Sequence, residues 1–250
     1  MSDYAIQQAA DLIRNASFVM VLTGAGMSTP SGIPDFRSPS AGIWNKLDPM
    51  AVASIWGFHE HPQVFYRWFV PLAKEIRAAR PNPAHFALAE LEQASNIPLL
   101  ITQNIDGLHQ AAGSRHVAEL HGNLETATCL ECGHQVSLDD IWPFAEHLQV
   151  PRCIHCNGLM KPDVILFGEP LPYESLRAAQ EGALFSDVLI SIGTSLEVEP
   201  AADLPHLARR SGSRIIIINR QPTVADKIAD VIIHDDVLVA LPALVRALHR

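Results

Sequence analysis

Four cysteines fall into two pairs, Cys129-x2-Cys132 and Cys153-x2-Cys156, with twenty residues between the pairs. Two such knuckles offer four thiolates at the spacing of a tetrahedral zinc site. A site closed by four thiolates holds its metal for structure and leaves no position for substrate. The pairs use every cysteine, so none remains as a nucleophile. Disulfides suit the chain less well, because it shows no secretory leader. His134 and His155 lie beside the pairs and read as bystanders. A zinc ribbon can also serve nucleic-acid binding, but the chain has no basic stripe and a net charge of -9.

The second chemistry-bearing stretch runs from Thr23 to Arg37, T-G-A-G-M-S-T-P-S-G-I-P-D-F-R. It follows the apolar run Phe18 to Leu22, which predicts a buried strand. Gly24 and Gly26 predict a sharp turn with close backbone approach, and backbone N–H groups in such a turn can cradle a pyrophosphate. The third glycine of G-x-G-x-x-G is absent, since Thr29 stands there. Beyond the turn come an acid, an aromatic ring and a guanidinium, Asp35, Phe36 and Arg37. A loop that merely closed a turn has no need of them.

The elements that must position these groups alternate between helix and strand. Ile6, Ala9, Ala10, Ile13 and Ala16 recur at helical spacing, which predicts a helix over 4–16. Further apolar strands are expected at 97–101, 187–192 and 214–218, with a last one at 231–233. A helix is expected over 84–94 with Phe86, Ala87, Leu88 and Leu91 inward, and a C-terminal helix on Leu238, Leu241, Leu244, Val245 and Leu248. The strands end in small or polar clusters: T-G-A-G, T-Q-N-I-D, G-T-S and N-R. Alternation implies an α/β fold with a parallel sheet, which gathers the strand ends on one edge, and ligands bind in the crevice beyond that edge. Residues 38–80 differ, with Trp44, Trp56, Phe58, Phe65, Tyr66, Trp68 and Phe69 among four prolines. Short helices around a small aromatic core fit them best. Val164 to Glu169 predicts one more strand.

The 250 residues, 48% hydrophobic and 18% charged, are enough for one large domain with an insertion or for two domains. No apolar run reaches the roughly 20 residues of a membrane span. The opening Met1-Ser2-Asp3-Tyr4 lacks the basic-then-apolar order of a leader, so the cytoplasm is the expected location.

With the glycine loop, T-Q-N-I-D-G-L-H, H-G-N and the paired cysteines in this order, the chain resembles a sirtuin, an NAD-dependent protein-lysine deacylase. F-G-E at 167–169, G-T-S at 193–195 and N-R at 219–220 continue the likeness, which covers roughly 10–240. It implies a Rossmann-like NAD-binding domain from 1–38, 81–124 and 166–250. A helical insert at 39–80 and a zinc-binding module at 125–165 would form a smaller domain. It also implies NAD and one structural Zn2+ as cofactors and acyl-lysine proteins or peptides as partners, with neither direct nucleic acid nor membrane.

The resemblance also implies roles. Gly24, Ala25 and Gly26 would hold the pyrophosphate through backbone amides. Asp35, Phe36 and Arg37 would sit on a loop that orders over the nicotinamide pocket. Gln103, Asn104, Ile105 and Asp106 would position the nicotinamide ribose and carboxamide. Gly193, Thr194, Ser195, Asn219 and Arg220 would serve the far side of the cofactor, with main-chain groups near Asp236 close to the adenine. His121 would be the base that activates a ribose hydroxyl, a task suited to an imidazole whose ordinary pKa is about 6.5, and Asn104 would assist catalysis. His109 is the weaker candidate for that base. Ile165, Phe167, Gly168 and Glu169 would pair with substrate by strand addition and line the acyl tunnel.

One departure bears on specificity. The branch of the family that prefers succinyl and malonyl groups carries Tyr-x-x-Arg, and the counterpart here is Tyr66-x-x-Phe69. A tyrosine without its arginine cannot clamp a carboxylate, so a neutral acyl group, acetyl or longer, is expected. Pro170 stands where a polar residue is more usual. The same fold could also serve NAD hydrolysis, ADP-ribosyl transfer or NAD sensing. The F-G-E segment and the zinc module favour peptide deacylation.

Overall fold

The computed structural model describes residues 3–35, 42–45, 47–94 and 97–249. In chain order come α1 (Asp3–Arg14), β1 (Val19–Thr23), α2 (Pro49–Val52), α3 (Ile55–Glu60), α4 (Pro62–Ala78), α5 (Pro83–Ala94) and β2 (Leu99–Thr102). Then follow α6 (Leu108–Ala112), β3 (Val117–Glu119), β4 (Gly122–Cys129), β5 (Gln135–Ser137), α7 (Leu138–Glu146) and β6 (Met160–Val164). The chain ends with α8 (Tyr173–Phe185), β7 (Val188–Ile192), α9 (Leu204–Arg210), β8 (Arg214–Ile218), β9 (Val231–Ile233) and α10 (Val237–Leu248).

Six strands form one sheet in the order β3-β2-β1-β7-β8-β9, and every pairing is parallel. The chain winds outward from β1 through β2 to β3, then returns to β1's other side at β7. The topological switch point is therefore between β1 and β7. Successive strand residues face opposite sides of a sheet. Val19, Val21, Ile190, Ile192, Ile216 and Ile218 pack in one core with α1, α5 and α10. Met20, Leu22, Leu189, Ile215 and Ile217 pack in a second with α8 and α9. Both faces are covered, so the strands need apolar residues at every position rather than at alternate ones.

A second sheet, β5-β4-β6, is antiparallel. Beneath it Phe58, Phe65, Tyr66 and Phe69 interlock with Val164 and Leu166 in a third core. The rings of Phe65 and Phe69 are stacked 5.0 Å apart. Short polar side chains start the helices here. Ser54 Oγ accepts from the Gly57 amide at the head of α3, and Ser137 with Asp140 closes a capping box at α7.

Two expectations are corrected. Phe86 is exposed on α5, because the buried stripe runs through Ala84, Ala87, Leu88 and Leu91 and position 86 is turned away from it. The strand expected over 164–169 instead ends at Val164. Beyond it Gly168 takes a left-handed φ of 92°, and Phe167 makes only an isolated bridge to Ser54. Among the described residues no helix is long and apolar enough to cross a membrane.

Candidate active site

The strand ends of the large sheet pass hydrogen bonds from one loop to the next. Gly24 N–H donates to Ile192 O, Gln103 N–H to Thr23 O, Gly193 N–H to Ile218 O and Asn219 N–H to Ile233 O. Four segments distant in sequence thus meet along one edge. At the switch point the glycine loop lies directly on the Gly193-Thr194 turn. A Cβ on Gly24 would fall 2.7 Å from Thr194 Cβ, and one on Gly26 would fall 2.9 Å from Gly193 Cα. The backbone conformation of Gly24 is ordinary extended. These glycines are therefore required by the approach of two loops. Two of their amides are committed inside the chain, Gly24 N–H to Ile192 O and Gly26 N–H to Gly193 O, each at 3.0 Å or less. That revises the expected cradle: of the three amides, Ala25 N–H alone donates to no described group.

Below the loop runs a connected polar network. Ser28 Oγ donates to Asp106 Oδ2 at 2.6 Å and accepts from Asn104 Nδ2 at 3.1 Å. Asn104 Nδ2 also donates to the Gly24 carbonyl, and Gln103 Nε2 donates to Thr194 Oγ1. Both side-chain amides thus turn their NH2 groups into the protein, and among the described residues neither amide oxygen accepts a hydrogen bond. His85 Nδ1 accepts from the Asn82 amide, which puts the proton of the neutral ring on Nε2, facing Ser28 Oγ. Burial lowers the His85 pKa to about 4, against a smaller upward pull from Asp106. His109 is buried, with Nε2 2.9 Å from Thr23 Oγ1, and burial assisted by His85 lowers its pKa to about 3. His109 is sealed under the crevice as a neutral ring and has no route to a substrate proton.

His121 is placed differently. It is half-buried in the turn immediately before β4, with Nδ1 2.9 Å from the Gln103 carbonyl. A carbonyl can only accept, so the neutral ring carries its proton on Nδ1, and Nε2 is the atom with basic capacity. Gly122 follows at φ 75°, where a Cβ would lie 1.8 Å from Asp163 O. Only glycine allows β4 to meet β6 immediately after the imidazole. His121 O accepts from Ile165 N–H at 2.8 Å, which ties His121 to the segment that follows β6.

That segment is held from several sides. Lys161 Nζ, buried, donates to Val164 O, Pro162 O and Glu169 Oε2, and Glu169 Oε2 also accepts from Leu166 N–H. Phe167 N–H donates to Ala53 O, and Phe167 O accepts from Ile55 N–H. The Phe167 ring meets Trp44 edge-on at 6.3 Å, and Trp44 stacks on Trp68 at 5.8 Å. These half-buried rings line the seam between the helical insert and the F-G-E segment, whereas Tyr66 and Phe69 lie inside the core. Tyr66 Oη donates to Met160 O at 2.7 Å.

On the far side Ser195 is half-buried beside the turn at Gly193. Asn219 Nδ2 donates to Gln221 O, and the exposed Arg220 pairs with Asp236 at 2.5 Å. Ile105 packs at the edge of the aromatic core. Asp35 is described and half-buried; Phe36 and Arg37 lie outside the described residues. Sequence reasoning did not single out Ser28, His85 or Lys161. The run Pro81-Asn82-Pro83-x-His85 held a signal, since an Asn-Pro turn followed by a histidine places the ring against its own turn.

The cysteines converge at the far end of the second sheet. All four Sγ atoms lie within 4.8 Å of one another, with Cys129–Cys156 at 3.4 Å and Cys132–Cys153 at 3.7 Å. Tetrahedral bonds of about 2.3 Å place sulfurs about 3.8 Å apart, so the cluster has the size a zinc ion needs. Backbone amides of His155 and Gly158 donate to Cys153 Sγ and Cys156 Sγ. Such bonds favour thiolates. The His134 and His155 rings touch each other edge-on at 4.2 Å.

Comparison with known proteins gives a consistent picture. The Sir2 family model matches residues 24–200. NAD-dependent protein deacylase 2 of Archaeoglobus fulgidus is 43% identical, covering 98% of this chain and 96% of its own. NAD-dependent protein deacetylase 1 of Pyrobaculum aerophilum is 44% identical over 96% of this chain and 93% of its own. A solved Sir2 enzyme superposes with a TM-score of 0.93 at 42% identity, covering 100% of this chain and 99% of that one. A Sir2 complex with a p53 peptide and NAD+ superposes at 0.88 and 39% identity, covering 96% and 97%. A crevice at the β1/β7 switch point, a histidine oriented at its edge and these matches over nearly the full length lead to one assignment: the chain belongs to the Sir2 family.

Proposed function

We propose that the chain is an NAD-dependent protein-lysine deacylase that cleaves NAD to nicotinamide and transfers the acyl group from lysine to ADP-ribose, with His121 as general base. The observation that carries the reading is the bond from His121 Nδ1 to the Gln103 carbonyl. It presets Nε2 as the proton acceptor, at the junction of the sheet-edge crevice and the F-G-E segment.

NAD supplies the ribose carbon that nicotinamide leaves and the acyl oxygen attacks. Ala25 N–H, with the loops at Gly24, Gly26 and Gly193, holds the pyrophosphate. Gln103 and Asn104 offer their amide oxygens to ribose hydroxyls, since their NH2 groups are engaged below. Ser28 and Asp106 keep Asn104 in that orientation. His121 takes a ribose hydroxyl proton at Nε2, and the Gln103 carbonyl steadies the imidazolium through Nδ1–H. Asp35, the last described residue of the glycine loop, serves the nicotinamide pocket. Thr194, Ser195, Asn219 and Arg220 serve the adenosine half.

The acyl-lysine enters past Ile165, Phe167, Gly168 and Glu169, beside the rings of Trp44 and Trp68. Because Phe69 stands where an arginine would be needed beside Tyr66 to pair with a carboxylate, the acyl group is a neutral one. Substrates are acyl-lysine peptides or proteins. The segments 1–38, 81–124 and 166–250 form the NAD-binding unit, with 39–80 and 125–165 as insert and zinc module. Zinc on Cys129, Cys132, Cys153 and Cys156 is structural. The likeness to a Sir2 bound to a p53 peptide and NAD+ supports this set of ligands.

The test is an acetyl-lysine peptide incubated with NAD while free lysine and nicotinamide are followed together. Both should appear in step, and His121→Ala should lower kcat about 10²–10⁴-fold. Nicotinamide release at the same rate without peptide, or a His121→Ala variant as fast as the parent, defeats the reading.

A further inference from the structure

Trp56 stands out among the aromatic residues of the helical insert. Phe58, Phe65, Tyr66 and Phe69 are buried, whereas Trp56 is 58% exposed. Its position is nonetheless fixed. Ser54 caps α3 through the Gly57 amide and donates to Met50 O at 2.6 Å. The backbone on either side of Ser54 is bridged to Phe167 by two hydrogen bonds, of 2.9 and 3.0 Å. The indole consequently rests on Gly168. A Cβ at that glycine would fall 2.4 Å from Trp56 Cη2 and 2.7 Å from Cζ3. One side of the ring covers the F-G-E segment, and much of the rest is open to solvent.

The hydrogen bonding of the segment decides where a docking peptide passes. Phe167 has both backbone groups occupied by the Ala53–Ile55 bridge. Leu166 has its amide on Glu169 Oε2 and its carbonyl on Glu169 N–H. Gly168 differs, because among the described residues its N–H and carbonyl make no hydrogen bond. A peptide that pairs with this segment therefore has Gly168, directly under the indole, open to it beside the Ile165 carbonyl, which accepts no hydrogen bond among the described residues. Its residues beside the acyl-lysine run along the exposed part of the ring.

The chemistry of the occupant follows from the surroundings. Glu60 lies four residues after Trp56 on the same helix, and both are exposed, so the carboxylate sits one turn along from the indole. The chain carries a net charge of -9. An aromatic face beside a carboxylate fits a guanidinium, which stacks on the ring and pairs with the acid. We propose that Trp56 is a specificity-determining residue that receives an arginine side chain flanking the acyl-lysine of the substrate. This rests on the deacylase reading for the identity of the peptide.

Binding of fluorescent acetyl-lysine peptides, measured by anisotropy in the presence of a non-hydrolysable NAD analogue, tests the proposal separately from turnover. Arginine, norleucine or alanine is placed in turn at each of the two positions on either side of the acetyl-lysine. The parent should bind the arginine peptide about three- to tenfold more tightly than the other two at one position. Trp56→Ala should shrink that preference to below about twofold, and Trp56→Phe should restore part of it. Norleucine binding as tightly as arginine, a preference that survives Trp56→Ala, equal affinities throughout, or no binding at all overturns it. Selective binding without lysine release upholds the role of Trp56 while defeating the deacylase reading.

Discussion

Lys161→Met is the perturbation whose outcome the structure specifies most fully. The ammonium has three protons, and each has an acceptor: Val164 O at 2.8 Å, Pro162 O at 3.0 Å and Glu169 Oε2 at 3.1 Å. The side chains of Lys161 and Glu169 are only 7% and 17% exposed. Methionine fills much of the same space but leaves a largely buried carboxylate with the Leu166 amide as its remaining donor, and it strips two carbonyls of their partner. Breaking one side of a buried pair costs about 3–5 kcal/mol, far more than an exposed pair is worth. Glu169→Gln keeps an acceptor for Leu166 and should cost less, about 1–3 kcal/mol. The double variant, with no uncompensated charge, should be more stable than the sum of the single losses predicts, by about 1–3 kcal/mol. Urea unfolding of all four proteins measures that coupling. Because the pair shapes the turn that carries Phe167 and Gly168, KM for peptide should also rise more than KM for NAD. Strictly additive losses, or single variants within about 1 kcal/mol of the parent, refute the reasoning.

Three further outcomes are expected. Gly122→Ala places a Cβ onto Asp163 O at a left-handed φ and should abolish folding or cost more than about 4 kcal/mol; Gly212→Ala, equally left-handed but with nothing within 4 Å, should cost only about 1–3, which thermal unfolding compares. Elemental analysis should find one zinc per chain, and Cys132→Ser or a strong chelator should remove it and lower the unfolding temperature; full stability without metal refutes a structural zinc. His85 and His109 have folded pKa values near 4 and 3, below the ordinary 6.5, so the unfolded chain binds protons first. Their contribution is intact above about pH 6.5 and is lost as pH falls toward the folded values. It amounts to about 2 kcal/mol per site between pH 7 and 5, and His85→Gln should remove about half of that slope in urea titrations.

The parts of the fold legible in the sequence are those with local causes. β1, β7 and β8 are covered on both faces, so each is written as a nearly unbroken apolar run, with Ser191 the one polar residue inside β7, and the polar cluster after each run marks the crevice edge. The cysteine knuckles are legible for a similar reason, since a metal site fixes its own spacing. Phe86 misled because one helix position beside a buried stripe looks apolar without belonging to it. Val164 to Glu169 misled because its composition suits a strand, while the buried Lys161–Glu169 pair and Gly168 turn the chain instead. Ser28, His85 and Asp106 meet only through long-range folding: 78 residues separate Ser28 from Asp106 and 57 separate it from His85. No periodicity records such a partnership.

The orientation of His121 shows why a site can be legible in its residue types and still hidden in its wiring. The group that selects its tautomer is the backbone carbonyl of Gln103. The same residue's N–H donates to Thr23 O at the end of β1, so the imidazole is fastened to the hydrogen-bond ladder of the sheet itself. No side-chain substitution at 103 deletes that carbonyl. Gln103→Ala removes the bond to Thr194 Oγ1, and with it the amide oxygen proposed above for the ribose, yet leaves Nδ1–H its acceptor. On the proposed role of His121, Gln103→Ala should therefore raise KM for NAD while the pH profile of kcat stays in place. A shift of that profile by a full pH unit shows that the side chain, and not the sheet, holds the imidazole.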